Sequence, residues 1–247
     1  MSRLADMTWE EVRALCVKGD AIAIVPVGSV EPHGPHLPLD TDTAISETCA
    51  VRAAARLGAR AVVAPSVPYG VTDYASGFAG AIGVPAAALT ALLRAIAEKL
   101  LLTGFAHVCF VNNHLEPAHD EAVRAAVVGI ARASVACPLT KRWGRTLSPE
   151  FKRGDCHAGR YETSLVIAAG RDVRPSAADL PTLGVSLAEA IKSGRTTFSE
   201  IGMPLAYTGA PAEATREEGD DLYERLVTMV VVEIEEGLAR SSSSGVG

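Results

Sequence analysis

The sequence predicts an α/β protein with helices layered on both sides of a mainly parallel sheet, and three observations lead there. Segments 21–27 (AIAIVPV) and 106–111 (AHVCFV) are apolar at consecutive positions, as strands buried on both faces of a parallel sheet are. A stretch of helical periodicity follows each. At 247 residues, 48% hydrophobic and 21% charged, the chain can bury one large core, so a single domain over 1–240 is expected, with a disordered Ser-rich tail at 241–247.

Taken in order, Thr8 stands three residues before Glu11, the pattern of a capping box that opens a first helix. The strand at 21–27 ends at Gly28. A Pro- and Gly-rich stretch then leads to a helix over about 42–57, with Ile45, Cys49 and Ala53 at helical spacing. Residues 60–64 read as a second strand. The loop 65–84 is long for a compact domain, and its Tyr69, Tyr74 and Phe78 form either a substrate wall or a packed Ω-loop. Pro85 and Pro117 each open a helix, the second carrying Val123, Val127 and Ile130 on one face. A short amphipathic helix follows His157, and another is read at 187–192. A long helix at 215–238 spaces Leu222, Leu226, Val230, Ile234 and Leu238 by four, for core or subunit contact.

Composition removes several classes of function. The net charge is −6 and no basic run is long enough to neutralise a row of phosphates, so no nucleic-acid partner is expected. No apolar run reaches membrane-spanning length, and the first fifteen residues lack the layout of a signal peptide. Five scattered cysteines without a C-x-x-C pair indicate neither a disulfide framework nor a zinc ribbon, and suit a reducing cytoplasm.

The chemistry concentrates in VPVGSVEPHGPHLPLDTDT, residues 25–43, where Glu31 and His33 lie two apart and Asp42 follows. Carboxylates and an imidazole on an irregular loop suit zinc, manganese or iron better than calcium or magnesium. A lone Glu-x-His also occurs in capped turns with solvated acids. The second strand weighs against that reading: His114 and Glu116 follow it as Glu31 and His33 follow the first, and in open parallel sheets ligands bind beyond the carboxyl ends of the strands. Five candidate ligands exceed the need of one tetrahedral ion and suit two ions sharing a carboxylate. In a third segment, GDCHAGRYETSLVI, His157 is either a general acid and base or a helix cap. Cys156 beside it has no separate base to make it a nucleophile. Arg153 and Arg160 either meet an anionic substrate or are solvated. His107 reads as a core histidine and His119 as a cap or a support of the site.

The segments VGSVEPHGPHLPLDTD, FVNNHLEP and DCHAGRYETS resemble the signature blocks of the creatininase family, and TWEEV and YTGAPAEATREEG extend the resemblance over most of the chain. It implies an α/β sandwich-like fold, two divalent ions per chain (zinc, manganese, or iron) and a homohexamer. It also implies that Glu31, His33, Asp42 as the bridge, and His114 hold the metals, with Glu116 as a fifth ligand. His157 matches the family's catalytic histidine, and Glu162 its glutamate, placed as a catalytic or ligand-supporting group. Tyr74, Trp143 and Cys156 are the expected substrate contacts, and His36 matches a family histidine that either touches substrate or orients the loop as a structural residue. The activity implied is hydrolysis of a C–N bond in a small linear or cyclic amide by metal-activated water. Some positions depart from the pattern: Asn113 replaces a glycine, Pro117 an asparagine, and Phe78-Ala79-Gly80-Ala81 lacks the threonine of F-P-G-T. DCHAGRYETS also resembles the mycofactocin-maturation peptidase branch, but that branch's N-G-H-G-G-N run is missing, and Glu116 places the chain nearer to creatininase. Peptide or formamide hydrolysis, and a metal-stabilised protein without catalysis, are the alternatives.

Overall fold

Successive residues of the two long strands enter two different apolar cores, which is why those strands read as unbroken hydrophobic runs. The computed structural model describes residues 2–243. Its strands are β1 (Ser2–Arg3), β2 (Ile22–Val27), β3 (Ala61–Val63), β4 (His107–Asn112) and β5 (Ala133–Ala136). They pair in parallel throughout, in the order β1-β3-β2-β4-β5. The edge strands β1 and β5 were not expected, being too short to show a pattern of their own.

The helices are α1 (Trp9–Cys16), α2 (Thr41–Leu57), α3 (Ala86–Thr103), α4 (Pro117–Val127), α5 (Lys141–Gly144), α6 (Pro149–Arg153), α7 (Arg160–Ala168), α8 (Leu187–Lys192), α9 (Phe198–Ile201) and α10 (Arg216–Ser243). The expected capping box is formed, with Thr8 N donating to the Glu11 carboxylate at 2.7 Å. The short helices α5, α6 and α9 carry no apolar period that a sequence reading can find. Helix α10 runs on to Ser243, so residues 241–243 of the expected tail are helical, and 244–247 lie outside the described residues.

Ile22, Ile24, Cys109 and Val111 face one core, shared with Cys49 of α2, Leu165 of α7 and Leu226 and Val230 of α10. Ala23, Val25, Val108 and Phe110 face the other, against Leu89 and Leu93 of α3 and Val123 of α4. The three-layer expectation is therefore met. Leu222, Leu226, Val230 and Ile234 are all buried, which assigns the apolar face of α10 to the core. Helices α10 and α7 cross closely: a Cβ on Gly219 would stand 2.6 Å from that of Ala168.

His107 is a core residue, as its place in a strand indicated. Its Nε2 meets Ser134 Oγ at 2.8 Å, and α10 passes so near that a Cβ on Gly237 would overlap the ring. Burial, helped by the charge of Arg240, lowers its pKa to about 4. An unfolded histidine takes up its proton near pH 6.5. The stability that neutral His107 contributes is thus fully present above about pH 6.5 and is lost as the pH falls towards 4. Denaturant titrations across that window should show His107→Gln losing less stability on acidification than the wild type, by up to about 3 kcal/mol at pH 4.

Candidate metal centre

The centre forms where β2 and β4 end and the chain turns into α2 and towards α7. Gly28 closes β2, and a Cβ there would lie 2.4 Å from Thr43 N, so strand end and helix start touch through a residue without a side chain. The intervening loop folds back on itself, Glu31 N donating to Leu39 O at 3.0 Å. Asp42 falls in the first turn of α2, where the helix end favours a carboxylate, and accepts from Ser29 Oγ at 2.6 Å. Past β4, Asn112 Oδ1 accepts from His114 N at 3.0 Å, and Asn113 reaches Ser46 Oγ through both its backbone and side-chain nitrogens.

The third segment is held from behind. Glu150, 5% exposed, accepts from the backbone N–H groups of Arg160, Tyr161 and Ala210, which fixes the start of α7. Ala158 takes a left-handed backbone with φ of 50°, and its N–H donates to Glu162 Oε2 at 2.6 Å. His157 and Glu162 are thereby turned towards the loop after β2.

Asp42 sits at the middle. Its Oδ1 is 3.1 Å from His33 Nε2 and its Oδ2 is 2.8 Å from His114 Nδ1. Glu162 Oε2 lies 3.6 Å from His33 Nε2, and Glu31 Oε1 lies 3.3 Å from His114 Nδ1. Donor atoms within 4.8 Å of one another thus form the groups Glu31–Asp42–His114 and His33–Asp42–Glu162, and also Glu31–His33–His157. The other ring nitrogens are engaged by backbone: His33 Nδ1 with Glu31 O at 3.1 Å, His114 Nε2 with Val71 O at 2.6 Å, and His157 Nε2 with Pro32 O at 3.1 Å. Since a carbonyl only accepts, each of these nitrogens is an N–H, and His33 Nε2, His114 Nδ1 and His157 Nδ1 are the nitrogens that face the cluster, free to ligate an ion once deprotonated.

These residues fit divalent ions. Glu31, His33, Asp42, His114 and Glu162 are 2% exposed or less, so bulk water does not screen them. Three buried carboxylates face two imidazoles with no Lys or Arg among the residues lining the cleft, and Glu31 Oε2 is buried without any hydrogen-bond partner. The field shows the same demand for positive charge. Burial alone would depress the imidazolium of His33, but Asp42, Glu162 and Glu31 outweigh it and push its pKa up to about 10. Burial likewise opposes, and Glu31 and Asp42 overcome, the shift of His114 well above the ordinary value. Against its own burial, Asp42 is held well below the carboxylate range by His33 and His114. Burial raises Glu162 to about 8. His157 goes the other way, lowered to about 4 by burial and by the charge of His33.

Not every expected residue is where the sequence reading put it. Glu162, expected to support the ligands, has its carboxylate inside the cluster. Glu116, expected as a ligand, stands at the edge: its Oε2 is 4.0 Å from His114 Nε2, and its oxygens accept from Asp73 N and Tyr74 N. Burial raises Glu116 to about 7. His36 does not line the cleft; its Nε2 meets Thr163 Oγ1 at 2.9 Å, pinning the loop after β2 to α7. Trp143 is remote as well, because α5 packs on α10 and the indole Nε1 donates to Glu233 at 2.7 Å. Tyr74 and Cys156 do line the cleft, and burial, then Glu162, raises the Cys156 thiol far above its usual value, so it stays protonated. Arg153 and Arg160 are bound to Asp155 and to Glu213 and Glu218. The apolar cleft residues Leu115, Leu187, Ile191 and Phe198 were missed, since no motif marks them. His119 supports the site: its Nδ1 accepts from Val71 N at 3.2 Å and its ring stands edge-on to His114.

A parallel α/β fold with buried carboxylates and imidazoles gathered beyond its strand ends defines the class. The chain belongs to the creatininase family, whose pattern, described as creatinine amidohydrolase, matches residues 5–234. It is 32% identical over 220 residues to the mycofactocin precursor peptide peptidase of Mycobacterium tuberculosis (strain CDC 1551 / Oshkosh), covering 83% of this chain and 80% of that protein. Against the creatinine amidohydrolase of Pseudomonas putida it is 30% identical over 118 residues, 46% of this chain and 45% of that one. A solved structure described as "Creatininase Mn" superposes with a TM-score of 0.75 at 22% identity, over 96% of this chain and 99% of that one. Glu116 had placed the chain nearer to creatininase, yet the match to the peptidase reaches much further along the chain.

The geometry separates the two glutamates by experiment. Elemental analysis after purification should find less transition metal in Glu162→Ala and an unchanged content in Glu116→Ala. Trp143→Phe should leave metal content and turnover within about twofold and cost about 1 kcal/mol of stability through the lost bond to Glu233.

Proposed function

We propose that this amidohydrolase binds two divalent transition-metal ions, zinc or manganese with iron as a further candidate, and uses them to hydrolyse a C–N amide bond in a small linear or cyclic substrate. The observation that carries this reading is the position of Asp42, whose two oxygens each face one histidine nitrogen, His33 Nε2 and His114 Nδ1, with a second carboxylate beside each. Glu31, Asp42 and His114 would hold one ion, and His33, Asp42 and Glu162 the other. When bound, such ions lower the pKa of water towards neutrality and polarise a scissile carbonyl.

The rest is the work of the chain. His157 keeps its Nε2–H on Pro32 O and presents Nδ1 to the cluster, 4.0 Å from Glu31 Oε1. It is the group placed to accept a proton there and to pass it to the departing nitrogen, which leaves poorly unless protonated. Glu116 anchors the 73–74 backbone that brings Tyr74 to the cleft. The inner part of the cleft measures about 50 Å³, against roughly 10–15 Å³ for one water on the same scale, and the cleft is open to the surface, so a substrate reaches the cluster with the rest of its length outside that inner space.

A second reading, hydrolysis of a peptide bond, is supported by the 83% coverage of this chain in the match to the mycofactocin precursor peptide peptidase. The two readings share every residue named above and differ in what the cleft admits. Among the described residues no helix is long and apolar enough to cross a membrane, and all five cysteines are free and buried, in keeping with a cytoplasmic setting. A homohexamer is the assembly that the family resemblance implies.

Elemental analysis of the purified protein should give about two transition-metal ions per chain. Asp42→Ala should lose both ions, whereas His157→Ala should keep them and lose turnover by about 10²- to 10⁴-fold. Full activity in both variants would move the site elsewhere.

A further inference from the structure

The cleft lining other than the acids, the imidazoles and Cys156 is apolar. Tyr74 from the long loop, Leu187 and Ile191 of α8 and Phe198 of α9 make up that lining, and Leu115 and Pro117 extend it. This wall is built into the fold. Leu187 N donates to Gly154 O at 2.8 Å, Val185 N to Thr208 Oγ1 at 3.0 Å, and Phe198 N to Tyr74 O at 2.8 Å. Phe198 is 4% exposed, and its ring lies 4.5 Å from that of His157 at 34°, with Tyr74 and Phe78 at 6.2 and 6.3 Å. A separate apolar cluster of Ala75, Ala190, Phe198, Ile201, Met203 and Ala206 backs it.

We propose that this wall is the specificity subsite and that Phe198 is its determining residue. The subsite takes an uncharged, apolar side chain or ring flanking the scissile amide. The inference rests on the hydrolase reading and adds the chemical class of the substrate to it. Two observations carry it besides the apolar lining. The cleft-lining residues include no Lys or Arg, and the two arginines nearest in sequence to His157 are bound to acids outside the cleft. An anionic substituent lying on this wall would therefore find no Lys or Arg to pair with, while an apolar one would gain about fourfold in affinity for each buried methylene. The stack on His157 adds position: a group lying on Phe198 is beside the residue that serves the departing nitrogen.

The test uses the metal-loaded full chain and the p-nitroanilides of N-acetylated alanine, leucine, phenylalanine and aspartate, with kcat/KM read from nitroaniline release. The leucine and phenylalanine compounds should exceed the alanine compound by about tenfold or more, with aspartate last. Phe198→Ala should bring the phenylalanine-to-alanine ratio down at least about fivefold, and Phe198→Leu should retain the preference for leucine. Ile191→Lys should raise the aspartate-to-leucine ratio about tenfold by supplying the missing cation. Ratios are compared because a displaced His157 would slow every substrate alike and leave them unchanged. Equal rates across the panel, a preference for aspartate, or a ratio untouched by Phe198→Ala would each overturn the proposal while leaving the hydrolase reading intact. If no compound is cleaved with metal bound, the hydrolase reading fails for this class of amide, and calorimetric titration of the same compounds decides the subsite. Tighter binding of leucine and phenylalanine than of aspartate, weakened in Phe198→Ala, supports the subsite; equal or absent binding overturns it.

Discussion

A carboxylate 1% exposed between two imidazoles is an expensive thing to build, and with Glu31 and Glu162 also close by, Asp42 is tolerable only because specific neighbours compensate its charge. Ser29 donates to it, its place in the first turn of α2 favours a negative charge, and His33 and His114 stand beside its two oxygens. Each of these depends in turn on a strand end. Ser29 and His33 follow β2, His114 follows β4, and the glycine between β2 and the loop lets α2 begin against the sheet. The parallel sheet is the reason these groups converge: its strands all end on the same side, so loops distant in sequence deliver their side chains to one place.

The sequence exposed this part of the molecule well. The unbroken apolar runs at 21–27 and 106–111 could only be strands buried on both faces, and the acids and histidines after them were bound to meet if the strands were neighbours. The boundary of α8 was read at 187–192 and is found there. What stayed hidden depends on contacts between segments. Nothing in the sequence says that Trp143 will turn to Glu233, that Glu162 will lie nearer His33 than Glu116 does, or that Phe198 will cross from a turn-rich stretch to lie on His157. Short helices and edge strands bury too few residues to leave a period, and a wall made from one or two residues of each of several loops leaves no motif at all.

The cleft divides its labour by polarity. One side gathers charge that only a cation can neutralise, and the other offers nothing but carbon and a phenol. The polar side comes from the strand ends and is fixed by the sheet. The apolar side comes from the long loop and the 185–206 stretch, whose tethers are a few backbone hydrogen bonds and one small apolar cluster. Such segments can change without disturbing the charge arrangement opposite.

The all-parallel order of the strands also bears on how the chain is made. β2 and β4 pair side by side although about eighty residues separate them, and the last member of the charged cluster, Glu162, is about two thirds of the way along the chain. During synthesis a nascent chain therefore carries Glu31, His33 and Asp42 long before their partners leave the ribosome. For that interval the central strand has β3 and α2 beside it but lacks β4 and the cover of α7 and α10, and its remaining apolar surface is open to chaperones or to other nascent chains. The charged cluster can therefore be complete only once about two thirds of the polypeptide has been made, with the core helix α10 still to follow.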